Sequence, residues 1–183
     1  MALVGPVSIL LGSLAALAAA PDPQAAARPS EYEVKAAFLY NFAKFVEWPS
    51  GRAGDPFVVV VLGDDPFGAV LERTLVGKAV MDRRLVVRRV QVLEEVSGAD
   101  ILFVCSSEAG RLPEVLQHVE GSPTLTVGEM DDFVGRGGMV GFRVLDEVVR
   151  FDVNLDRVSK AQLKMSSQLV RIARRVISPA AGS

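Results

Sequence analysis

The 183-residue chain has one cysteine, one histidine and one tryptophan. A lone thiol, Cys105, rules out an intramolecular disulfide, so stability rests on a packed core. A lone histidine, His118, leaves too few nitrogen ligands for a zinc site. The acidic pairs Asp64-Asp65 and Asp131-Asp132 do not replace them, because adjacent side chains diverge on most backbones. No metal and no cofactor is expected. An excess of charge of one sign is also lacking. The chain carries 20 Lys+Arg against 22 Asp+Glu, a net charge of -2, and a nucleic-acid binder normally shows a basic excess. A residue content that is 50% apolar excludes a disordered tail protein. Beyond residue 20 no apolar run approaches the roughly 20 residues of a membrane-spanning helix. The run FVVVVL at 57–62 has the length of a buried strand.

What is present begins with an apolar N-terminus. Residues 1–20 hold 15 hydrophobic residues and no charged side chain. The stretch at 7–20 resembles the core of an export signal, with Ala16-Leu17-Ala18 and Ala18-Ala19-Ala20 as cleavage sites. An uncleaved anchor is the alternative, although the run is alanine-heavy at its end and has no basic stop. We expect a signal peptide over 1–20, a Pro/Ala-rich linker over 21–30, one α/β domain over 31–177 and a flexible tail over 178–183.

Residues Glu31 to Phe45 read as a helix. Val34, Phe38 and Phe45 share one face with Asn41 between them, and Ala37, Leu39 and Phe42 make much of the circumference apolar. Such a helix is buried on more than one side or meets a partner. Trp48-Pro49 is expected to end it, because a residue before proline avoids helical geometry. Strands are expected over 57–62, 84–92, 101–104 and 124–127. Helices are expected over 66–75 and near 111–119, the first capped by Asp64 or Asp65 and opened by Pro66. Residues 128–133 read as loop or a short helix. A hairpin spans 139–144 and 148–153. Asn154 then caps a long terminal helix with Leu155, Val158, Met165, Leu169, Ile172 and Val176 on one side. Lys160, Lys164, Arg171 and Arg175 form its basic face, solvated or docked on an acidic partner. Strands alternating with helices predict an α/β fold with a mostly parallel central sheet flanked by helices, a C-terminal antiparallel hairpin and a long terminal helix.

The strand-turn-helix at 57–75 lacks both the dinucleotide glycine pattern and a phosphate loop. Cys105, after an apolar strand, reads as a small buried thiol, and His118 as a surface histidine; a Cys-His pair is the catalytic alternative. Ser106, Ser107 and Glu108 follow the strand at 101–104, where an open α/β sheet has its ligand crevice; the alternative is a turn and helix cap. Arg136, in GRGG at 135–138, reads as part of a tight turn or as an anion contact. Phe38, Phe42, Phe45 and Trp48 are candidates for a partner surface; the alternatives are a core helix and a tryptophan that plugs the bottom of the sheet. Absence of a catalytic set favours a binding or regulatory module over an enzyme.

Several ordered segments carry a family resemblance. VKAAFLYNFAKFVEWP at 34–49, GDDPFG at 63–68, ILFV at 101–104 with Ser106-Ser107-Glu108, and LTVG at 125–128 are four of them. GGMV at 137–140, VRFDVNL at 149–155 and MSS at 165–167 complete the set. Together they resemble the YfiR/HmsC-like family. The resemblance implies an exported periplasmic repressor that binds the periplasmic sensor domain of an inner-membrane diguanylate cyclase, lowering cyclic di-GMP and biofilm formation. It also implies a capacity to dimerise and, in some members, disulfide-linked redox control, which Cys105 alone does not supply. A periplasmic small-molecule sensor, with an unidentified ligand at Ser106, Ser107, Glu108 and Arg136, is the alternative function.

Overall fold

The structure, a computed structural model, describes residues 28–49 and 55–178. The expected signal peptide lies outside the described residues. An eight-stranded sheet runs through the domain in the order β10-β8-β7-β6-β5-β2-β4-β3. Its central strands are β2 (Phe57–Leu62), β5 (Ile101–Val104) and β6 (Leu125–Gly128), with β4 (Arg83–Val90) beside β2 and β7 (Val140–Leu145) beside β6. These five are mutually parallel. β8 (Val148–Asn154) returns antiparallel to β7, closing the expected hairpin. β10 (Arg175–Ile177) adds a parallel edge on β8. The two-residue β3 (Ala79–Val80) adds an antiparallel edge on β4. β1 (Val46–Glu47) and β9 (Lys164–Met165) form a separate small ladder.

The continuous apolar runs of β2, β5 and β6 follow from burial on both faces. Alternate residues feed two cores. Val59, Val61, Ile101 and Phe103 point into the core beneath α1 (Glu31–Phe45), together with Phe42, Phe142 and Phe151. Val60, Leu62, Leu102 and Val104 join the other core, with Val115 of α3 (Leu112–His118) and Phe133. α2 (Ala69–Leu75) packs beside α1. Ser30 caps α1 in a reciprocal arrangement, its hydroxyl accepting from the Glu33 amide while the Glu33 carboxylate accepts from the Ser30 amide.

Four local expectations are corrected. α1 spans Glu31–Phe45, the expected range, but what ends it is the extended turn of Val46 and Glu47 to pair with Met165 and Lys164, and not Trp48-Pro49. α2 begins at Ala69, and Asp65 does not cap it. One Asp65 oxygen accepts from the Phe67 amide, and the other accepts from Arg89 at 2.6 Å. β4 runs over 83–90 where 84–92 was expected, and it folds back onto β3 through Met81 and Asp82, both at positive φ. That turn lacks the Asn-Gly or Asp-Gly signal that marks such hairpins.

The fourth correction is the largest. Among the described residues no long terminal helix forms. α4 (Leu155–Lys160) stops after six residues, as expected capped by the Asn154 side chain, which accepts from the Arg157 amide. Gln162 then takes φ +60, Leu163 donates to the Val158 carbonyl and Gln162 to the Ser159 carbonyl. This is a Schellman stop with a side chain at the position that favours glycine. Val158 and Leu163 lie in the same core cluster. The chain next pairs with β1, re-enters a helix at α5 (Ser167–Ile172) capped by Ser166, and then forms β10. The basic residues therefore share no helix face: Lys160 pairs with Asp156, and Arg175 reaches Asp132 and Asp152.

Residues 129–138 form turns around one buried aromatic ring. Phe133 is 1% exposed. A Cβ on Gly128 would lie 2.6 Å from that ring, and one on Gly138 would lie 2.2 Å from it. These glycines let the ring lie against bare backbone. Phe133→Ala should lower stability by about 3–5 kcal/mol, and Gly138→Ala by about 1–3 kcal/mol through overpacking. Gly110→Ala, with nothing within 4 Å of the added carbon, should stay within about 0.5 kcal/mol of the parent. Urea unfolding of the three variants checks the order.

Candidate functional site

β2 connects to β4 on one side, and the chain then crosses back to β5 on the other. The switch point of the sheet lies between the carboxyl ends of β2 and β5, the usual crevice of such folds. Here the crevice is filled by the protein's own groups. The Asp64 amide donates to Ser107 Oγ at 3.0 Å. A Cβ on Gly63 would sit 2.4 Å from Ser107 Oγ and 2.8 Å from Glu108 Oε1. Buried Glu108 accepts from Arg111 at 2.5 Å, Arg111 also donates to the Gln91 carbonyl, and Gln91 donates to the Gly63 carbonyl. Ser107 and Glu108 thus tie the two loops together.

The four residues expected in one ligand site lie in three places. Ser107 and Glu108 hold the crevice shut. Ser106 lines a separate cleft of about 520 Å³ between α1 and the ends of β6 and β7. Arg136 lines a cavity between α3 and α4, where its guanidinium donates to the Ala109 carbonyl at 2.8 Å.

The Ser106 cleft has Lys35 at its heart. Lys35 is 2% exposed, and its ammonium pairs with Glu31 and with Glu129, the latter at 2.5 Å. Its Nζ also lies 4.7 Å from the Tyr32 ring centre and 5.9 Å from that of Phe142. Burial alone would lower the Lys35 pKa. The hydrogen bonds to Glu129 and Glu31 outweigh it and leave the pKa raised. Tyr32 is raised as well, by burial and then by the Glu129 charge. The other cations lining the cleft are likewise matched, Arg143 by Asp131 and Arg174 by Asp152. Each cation in this cleft has a carboxylate partner, so the cluster holds α1 to the end of β6. Lys35 escaped notice in the sequence. Its spacing from Leu39 and Phe42, four and seven residues on, places it on the buried helix face.

The partner-surface candidates divide as well. Phe42 is fully buried against Phe142 and Phe151, with ring centres 5.9 and 5.2 Å away. It is a core residue and no surface contact, because the buried face of α1 runs through Lys35, Leu39 and Phe42 and not through Val34, Phe38 and Phe45. Phe38, Phe45 and Trp48 are half-buried. Phe38 leans on Phe151. Trp48 packs edge-on against Phe57 at the start of β2, and its indole N–H donates to the Asp100 carbonyl at 3.3 Å.

Cys105 is buried and His118 exposed. Burial first, then the charges of Asp65 and Glu129, push the Cys105 pKa up to about 12, so the thiol is protonated at neutral pH and is a poor nucleophile. Among the described residues no group of three or more His, Cys, Asp or Glu is placed to hold a metal ion. No helix among them is long and apolar enough to cross a membrane.

The fold is a mixed α/β domain whose polar clusters hold its own loops. The sequence matches the YfiR/HmsC-like family over residues 32–174, and the chain belongs to that family. Members of the family are known as periplasmic regulators of diguanylate cyclases, regulatory rather than catalytic. No curated protein matches the chain. A solved structure described as the ABC domain in complex with L-Trp from Streptococcus pneumonia is similar at 13% identity and a TM-score of 0.49. The match covers 66% of this chain and 55% of that one, so the chain spans about half of that protein's length.

Lys35→Met should lower stability by about 3 kcal/mol, since it strands Glu129 and Glu31 without their cation, while Lys35→Arg should recover most of the loss. The raised Lys35 pKa means that this stabilisation is complete below the ordinary lysine value. It is lost as pH rises through the raised value. Urea midpoints at neutral and strongly alkaline pH check both the size and the sign.

Proposed function

We propose that this chain is an exported periplasmic repressor. It binds the periplasmic sensor domain of an inner-membrane diguanylate cyclase and thereby lowers cyclic di-GMP and biofilm formation. The family match over residues 32–174 is the observation that carries this reading. A protonated, buried thiol and charge-matched polar clusters agree with a protein that acts by binding. Residues 1–20 act as the export signal, residues 21–30 as linker, and 31–177 as the single regulatory domain.

The partner face runs along the half-buried strip of Phe38 and Phe45 on α1 to Trp48. Phe38 and Phe45 are seven residues apart and share a side of the helix. Each rests on the protein's own core on one side, so a partner meets aromatic edges already held in place. A homodimer joined through other surfaces is compatible with this strip.

Deleting the gene in a strain that expresses the neighbouring cyclase should raise cyclic di-GMP by about fivefold or more, the low end of typical regulatory coupling. The full chain should restore the low level, and a version lacking residues 1–20 should not. Unchanged cyclic di-GMP after deletion, or full rescue by the unexported version, contradicts the reading.

A further inference from the structure

The arginines lining the Ser106 cleft are bound to carboxylates, but a second cavity departs from this. A cavity of about 590 Å³ lies between α3, the loop at 136–139 and α4, within the size range of small-molecule sites. Leu116, Val119, Met139 and Ala161 supply apolar walls, and Arg136, Arg157 and Lys160 supply cationic ones. Lys160 is matched by Asp156 at 2.8 Å. Arg136 and Arg157 are matched by no carboxylate within ion-pair distance among the described residues. Among the described residues the Arg136 guanidinium hydrogen-bonds to the Ala109 carbonyl, at 2.8 Å, and the Met130 sulfur, at 3.8 Å. The Arg157 side chain has no hydrogen-bond or ion-pair partner among the described residues. Glu120 is the one carboxylate on the lining, so the two arginines leave the walls with a cationic excess.

The geometry brings the two guanidinium-bearing segments together. Gly137, next to Arg136, has φ +104. A Cβ there would lie 3.4 Å from Leu116 Cδ1 and 3.6 Å from Arg157 Nη2. Bare backbone at this point therefore lies against Arg157 on one side and an apolar wall on the other. Asn154 fastens the loop to α4. Its amide nitrogen donates to the Val134 carbonyl at 3.1 Å, and its oxygen accepts from the Arg157 amide. β6 and β7 pair only through Val127–Val140 and Gly128–Gly141. Toward the cavity the ladder gives way, and the Met139 amide donates to the Thr126 hydroxyl at 3.1 Å.

We propose that this cavity binds a small organic anion with an apolar body. Its carboxylate or phosphate head lies between Arg136 and Arg157 beside Gly137, and its body lies on Leu116, Val119, Met139 and Ala161. Guanidinium groups suit such heads because they donate in a planar fork. Arg136 is already oriented by Ala109, which reduces the entropy cost of binding. The cavity is separate from the switch-point crevice and from the strip at Phe38, Phe45 and Trp48. Its occupancy stands or falls independently of the repressor reading.

Isothermal titration calorimetry on the purified full chain tests this with three probes of similar shape: 3-phenylpropionate, phenyl phosphate and the neutral 3-phenylpropionamide. At least one anion should bind, and the amide should bind about tenfold or more weakly, as expected for loss of charge-assisted hydrogen bonds. The tighter anion identifies the head group. Arg157→Gln, which removes a guanidinium with no hydrogen-bond or ion-pair partner among the described residues, should weaken the anion by about tenfold and leave the melting temperature of the free protein unchanged. Arg136→Gln should weaken it similarly. Failure of both anions to bind, equal binding of the amide, or an affinity unaffected by Arg157→Gln overturns the proposal.

Discussion

The sheet is organised from its amino-terminal edge by one buried ion pair, Arg83 with Asp100. Asp100 is 1% exposed and Arg83 6%. Two nitrogens of Arg83 donate to the two Asp100 oxygens at 2.9 and 2.7 Å. Isolated charges at such depth would be costly, and the pair is sustained because further groups satisfy it. Arg83 also donates to the carbonyls of Asp55 and Pro56, and Asp100 accepts from the Val58 amide. The guanidinium lies 5.1 Å from the Phe57 ring centre. In this way one charge pair fixes the starts of β2, β4 and β5, three neighbouring strands. The Asp100 carbonyl also accepts from Trp48, so the chain leaving α1 is anchored to the same node.

That anchoring links fold to function. The sheet presents its crevice at the opposite, carboxyl end, where Ser107, Glu108 and Arg111 close it. The half-buried aromatic strip on α1 is held from below by the sheet and at its end by Trp48. Lys35 secures the other end of α1 to Glu129. A helix pinned at both ends offers a partner a rigid surface, which agrees with a protein that regulates by contact. Charge is distributed accordingly: ion pairs serve the scaffold, and Arg136 and Arg157 are the exceptions facing a cavity.

Much of the fold was legible because burial writes itself into apolar runs. FVVVVL and ILFV are uniformly apolar since both faces of β2 and β5 are covered, and the hairpin and the Asn154 cap were signalled by local chemistry. Periodicity misled in the last third of the domain. Leu155, Val158, Met165 and Leu169 keep a helical spacing, yet they reach the core from two short helices and a strand. The stop at Gln162 carries no glycine to announce it. The candidate site was less legible, because a position at a strand end does not say whether a side chain faces a ligand or a neighbouring loop. Ser107 and Glu108 turned out to face Gly63 and Arg111. Phe42 was indistinguishable from Phe38 by residue type, and a one-position offset of the buried face separates them.

The account rests on contact through the strip at Phe38, Phe45 and Trp48. The most direct measurement is the affinity of the purified chain for the isolated periplasmic domain of the neighbouring cyclase, by biolayer interferometry. Binding should be saturable, and Phe45→Asp and Trp48→Ala should each weaken it by about tenfold or more, as truncation of an aromatic anchor does. Absence of binding up to about 100 μM, an energy of only some 5 kcal/mol, would contradict the account. So would an affinity that both substitutions leave unchanged.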